Sequence, residues 1–162
     1  MRKTLEAIGL IALIVLLWIT YQALAGPNPL PNRIPTHFDA SGNPNGWGSP
    51  AMLILLPVVA IGLYLGITVV SRIPSAFHYP VRVTRVNLPR IQNLTLDMIT
   101  WIKTELACLF ATLQWWMIQA ARNGGGRLPP LLVPGFIVLI FGTIGGYLFA
   151  VIRAAASGRD SN

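Results

Sequence analysis

Acidic residues are nearly missing from this sequence. Five Asp and Glu stand among 162 residues, and all charged residues together make up 10%, against about 25% in an ordinary soluble domain. So few charges cannot cover the surface of a water-soluble globule. Apolar residues make up 54%, and hydrocarbon is the solvent that accepts such an exterior. Cysteine occurs once, at Cys108 within an apolar run, which excludes an internal disulfide. Histidine occurs twice, at His37 and His78. A hydrolytic centre is hard to assemble from so few titratable groups. The motifs His-Glu-x-x-His and Gly-x-Ser-x-Gly are absent, as is a phosphate loop. The expectation is a non-enzymatic protein with no cofactor and no metal.

What the chain has instead is long apolar runs. They fall at about residues 5–25, 51–70, 104–121 and 129–152. At 1.5 Å per residue, a run of ~20 residues crosses a ~30 Å hydrocarbon core. The length suits one membrane domain over residues 1–162. The expected fold is an all-α integral membrane protein, a four-helix transmembrane bundle with a Pro/Gly-rich extracytoplasmic loop able to form a short hairpin. Ala23-Leu24-Ala25 has the form of a signal-peptidase site behind Arg2 and Lys3. The apolar stretch is longer than an ordinary signal core, which favours an uncleaved anchor.

The twelve Lys and Arg sit mostly between the apolar runs. A nucleic-acid site would gather them on one folded face, so no nucleic-acid partner is expected. Their placement fits positive-inside topology. Arg2 and Lys3, then Arg72, Arg82, Arg85 and Arg90, then Arg153 and Arg159 mark three inner segments. Arg33, Arg122 and Arg127 remain for the outer ones. This predicts a multi-pass protein of the cell membrane with cytoplasmic N and C termini. Alternation at Val81 to Thr84 suggests a short strand in the inner loop.

The loop from Gly26 to Pro50 is the most distinctive segment. Pro27, Pro29, Pro31 and Pro35 forbid a helix, and Ser41 to Gly46 strings several turn signals together. Thr36 to Asp39 reads as a strand entering that turn, with Trp47 on the return. The order Pro31-x-Arg33-Ile34-Pro35-Thr36-His37-Phe38-Asp39-x-x-Gly42-x-Pro44-x-Gly46-Trp47-Gly48-Ser49 resembles the signature of a prokaryotic membrane family of unknown function. That domain also forms the N-terminal part of SdpI-type immunity proteins. Tyr79-Pro80-Val81-Arg82-Val83-Thr84 is a second, weaker match. Pro50 stands where family members often have Lys. The resemblance implies a membrane protein related to ones that protect their host from a secreted peptide toxin, and it supplies no catalytic residues. Those proteins carry a second membrane module after this domain.

Three functional readings follow. The first is a sensor or immunity-type accessory protein, embedded in the lipid bilayer. It would bind a peptide or protein partner through Arg33, Pro35, His37, Phe38, Asp39, Gly42 and Trp47; the same residues could serve only to structure the loop. The second is a small transporter or accessory subunit. Intramembrane charge is usually functional, and Glu105 begins a stripe with Cys108, Thr112 and Gln119. Lys103, two residues away, points ~200° from Glu105 on a helix and is expected to snorkel to the headgroups. The third is a membrane metal-binding protein or enzyme using His37 and Asp39, which share a face on extended chain. Two ligands fall short of a zinc site. For packing, Gly62 with Gly66 and Gly142 with Gly146 are spaced four apart, as in close helix contacts.

Overall fold

A computed structural model describes residues 1–73 and 77–157. Arg159 of the expected inner tail lies outside the described residues. The elements are α1 (Arg2–Ala25), β1 (Ile34–Phe38), β2 (Pro44–Gly48), a 3₁₀ turn (Pro50–Ile54), α2 (Leu55–Ser71), α3 (Leu88–Arg122) and α4 (Leu132–Ser157). Three helical stretches, Arg2–Ala25, Pro50–Ser71 and Leu132–Ala156, are long and apolar enough to cross a membrane. The fourth helix, α3, is the longest at 35 residues, about 52 Å. It begins three residues before the expected Ile91, with Pro89 in its first turn, where a missing N–H leaves no bond unmade.

The burial pattern reverses that of a water-soluble bundle. In α1 the buried residues are Leu5, Gly9, Leu13, Leu16, Thr20 and Ala23, one stripe at helical spacing. The rest of that helix exposes Ile8, Leu10, Ile11, Ile14, Leu17 and Trp18. Meanwhile Thr20, Thr100, Lys103, Thr104, Glu105 and Gln114 are buried. Water would not tolerate so continuous an apolar exterior, whereas lipid demands it.

α3 is the axis of the assembly and packs against all three other helices. Leu13, Leu16, Ala60, Tyr64 and Ala107 form the core between α1, α2 and α3. Ala23, Ile34, Leu53, Ile118 and Ala121 close the hairpin end. Ile91 with Val151, Ala154 and Ala155 closes the other. A helix shielded on several sides can carry polar groups that a lipid-facing helix cannot, so α3 is the least apolar of the four.

β1 and β2 pair antiparallel, Ile34 opposite Gly48 and Phe38 opposite Pro44, with a bulge around His37. The strand expected at Thr36 is present and starts two residues earlier. The strand expected at Val81 to Thr84 is not formed. Among the described residues no strand lies beside it to share a ladder. Asn87 organises that segment instead: its Oδ1 accepts from the Thr84 amide at 2.8 Å and its Nδ2 donates to the Arg82 carbonyl at 3.2 Å.

The two glycine pairs are also placed differently from expectation. Gly62, Gly66, Gly142 and Gly146 are all exposed, and a Cβ on any of them would meet nothing within 4 Å. Among the described residues no helix packs on those faces. Gly9 makes the close approach instead: a Cβ there would lie 2.9 Å from Cε2 of Tyr64. α4 packs on α3, and α2 packs on α3 and α1, so neither glycine pair lies between described helices.

Candidate functional site

Three polar arrangements are candidates, and they lie at different levels of the bundle. The first joins α1, α2 and α3. Lys103 Nζ donates to Glu6 Oε1 at 2.7 Å and Oε2 at 2.8 Å, and to Thr68 Oγ1 at 3.0 Å. Tyr64 donates to Glu6 Oε2 at 2.7 Å, and the ammonium stands 4.4 Å from the Tyr64 ring centroid. The Lys103 side chain is 2% exposed and that of Glu6 39%. Lys103 therefore does not snorkel to the headgroups. A fully satisfied partner set lets its charge remain inside. Arg2 adds a second tie at the same end, bonding Asp97 and donating to the Asn93 side chain at 2.8 Å.

Glu105 leaves α3 on the opposite side and faces α4, where Oε1 accepts from Thr143 at 2.6 Å. Its Oε2 is buried without a partner. The Thr112 hydroxyl donates back to the Cys108 carbonyl of its own helix at 2.7 Å, which removes it from the helix surface as a donor.

The third arrangement is the hairpin end. Ile34 and Pro35 are buried, while Arg33, His37, Asp39 and Trp47 are exposed. Asp39 caps the turn by accepting from the amides of Ser41 and Asn43, each at 2.9 Å, and from Asn43 Nδ2 at 3.1 Å. The Asn43 hydrogen bonds, first of all from its side chain, hold the Asp39 carboxyl below its ordinary range. His37 Nδ1 bonds the Asn45 side chain. His37 and Asp39 thus each engage a neighbouring Asn of the hairpin. Among the described residues no three His, Cys, Asp or Glu gather as metal ligands.

The turn is docked onto the α3–α4 connection. Gly42, at φ +80°, accepts from the Leu128 amide at 2.9 Å, and a Cβ on it would lie 2.1 Å from the Leu128 carbonyl oxygen. Arg127 donates to the Ser41 carbonyl at 3.2 Å. The Trp47 ring rests on Gly125, 2.8 Å from where a Cβ would be. Beside this contact Phe38, Asp39, Gly42, Leu128, Pro130 and Val133 line a mainly apolar cleft of about 330 Å³.

Sequence reading singled out Lys103 and Glu105 and missed their partners. Glu6 was legible as the lone acid in an apolar run, the complement of the lone intramembrane lysine. Gln114 is fully buried and bonds Thr20 at 2.8 Å and the Leu53 carbonyl at 3.0 Å. Nothing in its neighbourhood of apolar residues marked it.

Residues 7–62, which include most of α1, the hairpin and the first half of α2, match a family profile described as a domain of unknown function, DUF1648. An uncharacterized protein of Archaeoglobus fulgidus is 28% identical over 153 residues, covering 86% of this chain and 79% of that protein. No solved structure matches. The profile includes the hairpin segment that carries the resemblance noted above, and Tyr79 to Thr84 lies beyond it.

Proposed function

We propose that this chain is a non-enzymatic, four-span protein of the cell membrane whose hairpin is an extracytoplasmic docking element for a peptide or protein partner. The observation that carries the reading is the division of the hairpin into two sides. Ile34 and Pro35 anchor it in the bundle end, and Gly42 and Ser41 are tied to Leu128 and Arg127. His37, Asp39 and Trp47 remain exposed on the fixed frame. Aromatic and charged groups held rigid lose little entropy when a partner binds. The adjoining apolar cleft with Asp39 at its rim suits a segment carrying an apolar side chain beside a cation.

Topology supports the outward placement. Arg2, Lys3, Arg72, Arg82, Arg85, Arg90 and Arg153 belong to the bundle end away from the hairpin, and Arg33, Arg122 and Arg127 to the hairpin end. The positive-inside rule then puts both termini in the cytoplasm. α3 serves as the fourth span, its polar side chains turned toward the other helices. Resemblance to SdpI-type immunity proteins favours a peptide as the partner. A second reading, a transport or accessory role centred on Glu105, has one observation in its favour, the unpartnered Oε2 in the α3–α4 interface.

Two measurements test the docking reading. An impermeant thiol reagent labels a cysteine at Asn43 in intact cells and spares one at Thr84; the reverse pattern refutes the orientation. His37→Ala and Trp47→Ala keep the folded yield and lose a partner that co-purifies from the native membrane. Normal recovery in both variants removes the hairpin as a docking element.

A further inference from the structure

The turn between Val81 and α3 sets arginines and valines side by side on one fixed tip. Asn87 is buried and holds the bend from inside. Its Oδ1 accepts from the Thr84 amide at 2.8 Å, its amide donates to Thr84 Oγ1 at 3.3 Å, and its Nδ2 donates to the Arg82 carbonyl at 3.2 Å. Arg82, Val83, Thr84, Arg85 and Val86 are all left exposed. We infer that this tip is a contact site for anionic phospholipid headgroups, with Arg82 and Arg85 taking phosphates and Val83 and Val86 entering the layer between them. The inference goes beyond the docking role proposed for the hairpin and does not depend on it.

Three observations select this occupant. The first is level. Val81 and Tyr79 pack against Ile91, Val151 and Ala155, where the apolar stretch Leu132–Ala156 of α4 comes to its end. The tip follows Val81 directly, so it stands at headgroup height. The second is charge. Among the described residues the carboxylates of this end are Glu6 and Asp97, and both are taken, Glu6 by Lys103 and Asp97 by Arg2. Neither is left for Arg82 or Arg85. Guanidinium matches phosphate through paired, charge-assisted hydrogen bonds, and basic segments beside a span are drawn to anionic lipid. The third is the pair of valines. Val86 is 74% exposed and Val83 38%, on a bend too well bonded to fold them away. In water such side chains gain nothing, whereas between headgroups they are buried, as on the apolar side of an interfacial segment. A soluble acidic partner would match the charge but would have to reach a tip already surrounded by headgroups.

Fluorescence quenching of the full chain in nanodiscs tests the site. Val86→Cys in a Cys108→Ser background carries a bimane label, and the discs hold phosphatidylcholine alone or mixed with phosphatidylglycerol. Both faces of a nanodisc are open, so the result does not depend on which end is cytoplasmic. With phosphatidylglycerol present, quenching by aqueous acrylamide is expected to fall roughly twofold or more, and quenching by a spin-labelled lipid to rise. Adding Arg82→Gln and Arg85→Gln, both at exposed positions, returns the label to the level seen in phosphatidylcholine. A label at Asn43→Cys on the hairpin responds to neither change. Equal acrylamide access in the two lipids leaves the tip in water and overturns the inference. So does shielding that survives the loss of both arginines, shielding without contact to the spin-labelled lipid, or an equal response at Asn43→Cys.

Discussion

The side chain of Gln114 donates to the carbonyl of Leu53 at 3.0 Å, the carbonyl that a regular α-helix would bond to the amide of residue 57. That residue is Pro57 and has no amide hydrogen. A polar side chain on α3 thus supplies the donor that α2 lacks, in a place where no water can do so. Gln114→Leu is expected to lower stability in detergent by about 1–3 kcal/mol, the penalty for a buried acceptor left unpaired. Gln114→Leu combined with Pro57→Ala restores a donor and recovers part of the loss. If the double variant melts no higher than Gln114→Leu alone, Pro57 is not the reason for the contact.

The Glu6–Lys103 pair behaves as a unit. Glu6→Gln leaves a buried ammonium without its counter-charge and is expected to destabilise by about 3 kcal/mol or somewhat less, since the Glu6 side chain is 39% exposed. Glu6→Gln with Lys103→Met removes both charges and is milder than the sum of the single changes. A double-mutant cycle read by thermal melting gives the coupling directly; additive losses would mean the two groups do not depend on each other.

Two kinds of glycine are distinguished by where a side chain would go. Gly42→Ala places a Cβ 2.1 Å from a backbone oxygen at φ +80°, so the turn must leave Leu128. The folded yield falls sharply. Gly142→Leu and Gly146→Leu meet nothing within the chain and keep the parent melting temperature. A drop in the latter pair would reveal a contact that only another molecule can provide.

The hairpin tip is sensitive to acid. Hydrogen bonds from Asn43 and Ser41, with Arg127 nearby, hold the Asp39 carboxyl below its ordinary 3.8. The stabilisation is fully present above that ordinary value and fades as pH falls through the lower folded one. Proteolytic protection of the loop should therefore be flat from neutral pH down to about 4 and decline below it. In Asp39→Asn that decline is reduced, because the titrating group is gone. An unchanged acid profile in Asp39→Asn would assign the transition to another residue.

The number and placement of the helices were decided locally. Three of the apolar runs form helices long and apolar enough to cross a membrane, and hydropathy alone reports that. The hairpin was equally legible, because Pro fixes φ and Gly permits the left-handed turn conformations wherever they stand, and the bounds of β1 differ from the sequence reading by two residues at its start. Which face of each helix turns inward was not legible. Lipid tails and a packed interior are equally apolar, so an exposed Ile14 and a buried Leu13 look alike in the sequence. Small residues four apart predicted contacts at Gly62 and Gly142 that the bundle does not make. Only the tertiary structure brought Glu6 to Lys103, Gln114 to Leu53 and Thr143 to Glu105. These partners lie tens of residues apart, and in a membrane their meeting is set by the packing of whole helices, which no local pattern records.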